Sequence, residues 1–193
     1  MFPHAVLVSL AALAGCQAES SRDSGPKPAP AAIELREADG TVSARVVRGQ
    51  PCRATVDGIE LLVGTQPLVA QAGDVRWSGE LTASGTLIRR NDTVVARVYP
   101  DDQPAELGLY SADGIALFSA KIIGDKADLV SGAGAVVATA QKQPKGGVKV
   151  GGRMVTGTDD VLLAALVAAP DAGPEVRGLA ACHRLFPPAK AAP

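Results

Sequence analysis

The sequence predicts a mainly β fold: an antiparallel barrel or sandwich with a short, buried, apolar helix near its C-terminal end. Three observations point there. From Ile33 to about Val155, short runs of β-branched and apolar residues recur at close spacing. Turn signals separate them at Asp39-Gly40, Asp57-Gly58, Asn91-Asp92, Asp113-Gly114 and Lys145-Gly146-Gly147, and Asp-Gly accepts the positive φ of a tight hairpin at little cost. Beyond Val155 the pattern changes to one uninterrupted apolar segment, Val161 to Ala169, stopped by Pro170.

In chain order, the candidate strands include Ile33 to Arg36, Thr41 to Val47, Ile59 to Val63, Thr86 to Arg90, Thr93 to Tyr99, Ile115 to Ile123, Ala135 to Ala140 and Val148 to Val155. Side chains alternate in several. Val94, Ala96 and Val98 share one face while Val95, Arg97 and Tyr99 share the other, the period of a strand buried on one side. Leu35 to Gly40 (LREADG) and Leu109 to Gly114 (LYSADG) echo one another, as two units of a duplicated barrel or as one common turn used twice. Thr158 or Asp159 is placed to cap a helix opening at Asp160, accepting from the free N–H groups of its first turn. A surface helix would show one apolar stripe, whereas Val161 to Ala169 is apolar all round and must be buried on every side. Its nine residues are too few to cross a bilayer core of ~30 Å, so that burial is in protein. A second short helix is expected from Pro174-Glu175, with Pro at its first position and Leu179, Cys182 and Phe186 on one face.

Composition narrows the function. The 193 residues suffice for one domain, and hydrophobic residues make up 47% of them with aromatics only 3%. The core must therefore be built from Ala, Val and Leu, with few large anchors such as Trp77, Phe118 and Phe186. Nineteen basic residues stand against 20 acidic ones, so no long-range field draws nucleic acid, and none is expected as a partner.

The first sixteen residues decide the compartment. Ala5 to Ala14 has the length of a signal-peptide hydrophobic region. It ends in Leu13-Ala14-Gly15-Cys16, which resembles the bacterial lipobox; Met1 to His4 departs from that pattern in having no Lys or Arg. The resemblance implies cleavage before Cys16, a glyceride on its thiol and a place in the bacterial cell envelope. Gln17 in place of Asp implies the outer membrane, facing periplasm or cell surface. At ~0.8 kcal/mol per buried CH₂, two or three acyl chains would anchor firmly. An ordinary secretory signal with a chance cysteine, or a buried N-terminal strand, is the blander reading. Glu19 to Ala32 (ESSRDSGPKPAPAA) cannot bury a core and reads as a spacer. The expected organisation is thus a signal peptide over 1–15, lipidated N-terminus and tether over 16–32, a β-rich domain with C-terminal helices over 33–186, and a disordered tail over 187–193.

A many-stranded β domain followed by the apolar segment Val161 to Ala169 resembles the tubby-like barrel family, which includes LURP-one-related proteins and phospholipid scramblases. The resemblance covers roughly Ile33 to Phe186, rests on Asp-Gly turns and that segment, and implies a barrel wrapped round a hydrophobic helix. No motif of invariant residues is matched, so no phosphoinositide-binding residue carries over, and the tail after the helix is longer than the family's usual ending.

With Cys16 committed to lipid, Cys52 and Cys182 remain, and an oxidising compartment favours their pairing. The bridge would close more than a hundred residues of chain, worth ~4–5 kcal/mol in the chain-entropy model. Two unpaired thiols acting as small hydrophobes are the alternative. Cys182-His183 suggests a nucleophile and its base, but neighbours on a helix point about 100° apart. A disulfide cysteine beside a surface histidine is the simpler expectation. One His and two Cys without close ligand spacing predict no metal site, and no cofactor is expected. Asp101-Asp102 and Asp159-Asp160 read as a turn and a helix start, with glycosidase carboxylates a remote alternative. Gly124 to Gly134 lacks the Lys-Ser/Thr ending of a phosphate loop. Lys142, Lys145, Lys149 and Arg153 form a basic run for anionic headgroups or glycans, or simply a solvated hairpin. The expectation is a non-enzymatic envelope lipoprotein, held to the membrane through Cys16 and serving an envelope protein partner as an interaction or assembly module. A lipid- or small-ligand-binding barrel is the alternative.

Overall fold

A computed structural model describes residues 32–186 apart from 66–67, 83–84, 101–105, 112 and 170. The strands are β1 (Ala32–Arg36), β2 (Val42–Val47), β3 (Cys52–Val56), β4 (Ile59–Thr65), β5 (Leu68–Ala72), β6 (Val75–Thr82), β7 (Gly85–Arg90), β8 (Thr93–Pro100), β9 (Glu106–Ser111), β10 (Ala116–Ile123), β11 (Lys126–Ser131), β12 (Val136–Lys142), β13 (Val148–Val150) and β14 (Arg153–Thr156). Two helices follow, α1 (Val161–Ala168) and α2 (Pro174–Leu185). Each strand pairs antiparallel with its neighbours in sequence, and β1 pairs β14 through Leu35↔Val155, closing a barrel of fourteen strands. Of the two β architectures expected, the structure is the barrel.

Tight turns make this meander possible. Asp57 and Gly58 both take positive φ, 48° and 81°, the two-residue turn whose twist matches that of paired strands. A second shape recurs. In 37–41, 111–115, 131–135 and 143–147 the first N–H donates to the carbonyl four residues on, and the fourth N–H donates back to the first carbonyl. A glycine of positive φ sits at that fourth place each time. The echo between Leu35–Gly40 and Leu109–Gly114 is this turn chemistry, which two other hairpins share.

Three expectations need correction. Fourteen strands form, and β3, β5, β6, β9 and β11 lie outside the eight candidates; β5 to β6 and β10 to β11 turn on Gly-Asp rather than Asp-Gly. Val148 to Val155 is a hairpin rather than one strand, since Gly151-Gly152 reverses the chain and pairs Val150 with Arg153. Neither Thr158 nor Asp159 caps α1. Asp160 does, its Oδ1 accepting from Leu162 and Leu163 N–H at 3.0 Å each, while Thr158 Oγ1 accepts from Asp160 N–H.

The interior holds both helices. A small barrel is filled by its own side chains, but width grows with strand number, and fourteen strands leave room for whole helices ~10 Å across. α1 packs on β10 to β13 and β1, α2 on β2 to β5, and the two touch each other. Every residue of α1 is buried, as its unbroken apolar sequence requires. Inward positions of the wall carry small side chains, including Ala44, Ala54, Ala96, Ala120 and Ala140, which admit the helices. At Gly178 of α2 a Cβ would lie 2.8 Å from Leu61 Cδ1 and 3.2 Å from Ala54 Cβ, so the absence of a side chain there lets that helix approach β3 and β4 closely.

The outer face is charged. Glu34 pairs with Arg45, Arg53 with Glu60 and Arg89 with Glu80 across neighbouring strands. This is the reverse of a lipid-spanning barrel, whose outside is apolar and whose lumen is polar. Among the described residues no helix is long and apolar enough to cross a membrane.

Candidate functional site

The barrel has two ends, and the chain's direction gives them different chemistry. At the entry end β1 begins and α1 starts, and α2 comes to its own close there. At the far end lie the turns β1–β2, β3–β4, β5–β6, β7–β8, β9–β10, β11–β12 and β13–β14, together with the α1–α2 link.

At the entry end the last turn of α2 is fixed to three elements. Cys182 is bonded to Cys52 of β3, the two Cα atoms 6.0 Å apart and 130 residues apart in sequence. The expected disulfide is therefore present, and it is fully buried. With Cys182 Sγ in that bond, the cysteine has no thiol to act as a nucleophile. Across the barrel, His183 Nε2 lies 2.8 Å from Thr86 Oγ1 of β7. The expectation of a surface histidine is corrected: His183 is mostly enclosed, because α2 lies inside the wall rather than on it. Burial, and secondarily the Arg184 charge, hold its imidazole below the ordinary histidine pKa. Arg184 Nε in turn donates to Asp160 Oδ2 at 3.1 Å, tying the end of α2 to the start of α1. Sequence reasoning missed Thr86 and Arg184 because both contacts join elements distant in the chain, and neither residue stands out locally.

Two shallow clefts open at this end. One of about 690 Å³ lies between the β12–β13 turn and the segment leading to α1, with Arg48, Lys145, Asp159 and Asp160 among its lining residues. A neighbouring one of about 310 Å³ includes Asp125, Lys142 and Asp159. The carboxylates of Asp159 and Asp160 are engaged. Asp159 Oδ1 accepts from Gly147 N–H at 3.0 Å and its Oδ2 lies 3.8 Å from Lys142 Nζ, while Asp160 caps α1 and holds Arg184. Asp159-Asp160 is thus a helix start. Asp101-Asp102 lies outside the described residues, as does Cys16.

The structure does not bring the four basic residues together. Lys142 and Lys145 are at the entry end, Lys149 projects from the outer wall opposite Gln141 and Met154, and Arg153 lies at the far end. Arg153 Nη2 donates to Ala168 O at 2.7 Å, and Arg177 Nη1 to Val167 O at 3.3 Å. These guanidiniums satisfy the last carbonyls of α1 and complement its dipole. A hairpin running the length of the wall separates residues that are close in sequence. Gly124 to Gly134 is equally ordinary: it contains β11 between two hairpin turns.

The fold and its ends define a closed antiparallel barrel plugged by two helices, with Cys52 and Cys182 bonded to each other. Comparison with known proteins finds no matching family model, no matching curated protein and no matching solved structure.

Proposed function

We propose that this protein is a non-enzymatic lipoprotein of the bacterial cell envelope, anchored through lipid on Cys16, whose barrel serves as an interaction or assembly module for an envelope protein. The observation that carries this reading is the filled interior. With α1 wholly buried and α2 packed against both α1 and the wall, recognition is left to the outer surface and the rims. Leu13-Ala14-Gly15-Cys16 and the proline-rich spacer support the address. The position of Ala32 supports the geometry, since a tether arriving at the entry end leaves the far end free. A ligand-binding barrel has less support, because side chains of the two helices occupy the space an acyl chain would need.

Two measurements test this reading. Radiolabelled palmitate should enter the wild-type chain and not Cys16→Ala, with the variant lost from the membrane fraction. A photo-crosslinking residue placed in turn over the wall and both ends, in intact cells, should yield adducts with an envelope protein. Absence of label from the wild type, or absence of adducts from every position, overturns the proposal.

A further inference from the structure

Exposed apolar side chains are not spread evenly over this barrel. Of the seven large hydrophobic residues left exposed among the described residues, Val42, Ile59, Ile115, Val136 and Val137 all sit at the far end, at or beside the start of β2, β4, β10 and β12. Ile115 and Val136, 64% and 60% exposed, are the core of this group. β11 joins them: Val130 pairs with Val136, and Gly132 N–H donates to Leu117 O two residues beyond Ile115. Half-buried Leu117 and Val130 extend the same corner inward. Val137 is the residue by which β12 bulges, since Leu129 pairs with Ala138 and Val130 with Val136. β13 is too short to flank this part of β12, its register covering only Ala140 to Lys142. The wall is therefore low beside an apolar corner.

The same end is acidic in its outermost layer. Five successive hairpin turns there each carry an aspartate: Asp39, Asp57, Asp74, Asp92 and Asp113, all exposed. No Lys or Arg occurs in any far-end turn or in the α1–α2 link. The arginines flanking these turns are largely engaged: Arg153 on Ala168 O, Arg177 on Asp57, Arg89 on Glu80, Arg36 on Glu34 and Arg90 over the Trp77 ring at 5.9 Å, while Arg76 is exposed beside Asp74. Thr41 holds the Asp39 carboxyl below its ordinary pKa, its hydroxyl donating at 2.7 Å and its N–H at 2.9 Å.

We infer that the far end is the docking surface, and that its occupant is a protein presenting Lys or Arg around an apolar centre. The inference rests on the interaction-module reading and names the surface and partner chemistry of that module. Charge complementarity selects the occupant. A second copy meeting this end face to face would set aspartates against aspartates, and an anionic membrane would be repelled in the same way. A basic rim on the partner is drawn in by the ring of carboxylates, while Ile115, Val136 and Val137 supply apolar area that loses water on contact.

The test uses the full-length, membrane-anchored chain with a photo-crosslinker at Ile115 or Val136, and at Lys149 on the outer wall and Lys145 at the entry end as controls. Adducts from both far-end positions with one envelope protein, mapping to a segment rich in Lys or Arg, are expected. With that protein purified, Asp74→Lys combined with Asp113→Lys should slow association about tenfold at low salt. Val136→Glu should weaken binding by a similar factor, and added salt should remove most of the charge effect. Both variants change only exposed positions and should unfold at the wild-type temperature. Far-end adducts to a second copy or to lipid overturn the inference, as does a partner segment without basic residues. Adducts confined to Lys145 or Lys149 overturn it while leaving the interaction-module reading intact, and absence of adducts everywhere removes both.

Discussion

Single residues decide how α2 fits the barrel. Gly178 faces Leu61 and Ala54 with no space for a branched side chain. Gly178→Val should destabilise by ~1–3 kcal/mol through overpacking, read as a lower urea midpoint. Gly178→Ala should be nearer neutral: the clash is with the mobile end of Leu61, and alanine gains ~1 kcal/mol of helix propensity over glycine. His183 makes a different demand. Its pKa is depressed in the folded state, so the unfolded chain binds the proton more readily between the two values. Stability is then full above the ordinary value of 6.5 and falls as the pH drops below it. Melting temperatures measured from about pH 8 to about pH 5 should decline for the wild type, and His183→Gln should flatten that part of the curve.

At the scale of elements, α1 poses the sharper problem. It is eight residues long, has no charged side chain, and buries both of its termini in the barrel. Its free peptide groups are served from outside the helix, by Asp160 at the start and by Arg153 and Arg177 at the end. Asp160→Ala removes the acceptor for two N–H groups and the partner of Arg184, and should lower stability by ~1–2 kcal/mol in denaturant unfolding. Asp160→Asn keeps the cap and loses the ion pair, so its loss should be smaller. α2 depends instead on a covalent bond. Cys52→Ala with Cys182→Ala removes a link spanning 130 residues, for which the chain-entropy model gives about 5 kcal/mol and engineered cases usually 2–4. The double variant should melt well below the wild type, and peptide mapping without reductant should recover the Cys52–Cys182 pair only from the wild type.

For the whole molecule, the meander and its closure belong to different ranges of sequence. Thirteen of the ladders join consecutive strands, and only β1 with β14 joins the ends of the sheet. Local turn chemistry can direct the first kind, since each hairpin pairs residues a few positions apart. Closure and the insertion of α1 and α2 are long-range, and the disulfide between β3 and α2 locks the second of them. The closed, plugged barrel in turn leaves two unlike ends, one where the tether would arrive and one ringed by aspartates.

How much of this was legible depends on whether the signal was local. Asp57-Gly58 and Asn91-Asp92 announce their turns because the required positive φ is a property of those residues alone. Val161 to Ala169 announces burial because no face of it is polar. β5, with its sequence LVAQA, and β11, with KADLVS, escaped because small inward alanines and polar outward residues resemble loop as much as strand. The basic run Lys142 to Arg153 misled for the opposite reason, as nearness in sequence became separation along a hairpin.

By itself the sequence determined the β class, the positions of the Asp-Gly and Asn-Asp turns and the buried apolar helix, and it offered Cys52 and Cys182 as a pair. Only the tertiary structure decided that fourteen strands close on themselves, that both helices lie inside, and that His183 meets Thr86 while exposed valines and isoleucine gather at one end. The physical reason is one of range: turns and amphipathic patterns act over a few residues, whereas closure, interior width and the grouping of surface side chains depend on the geometry of all strands at once.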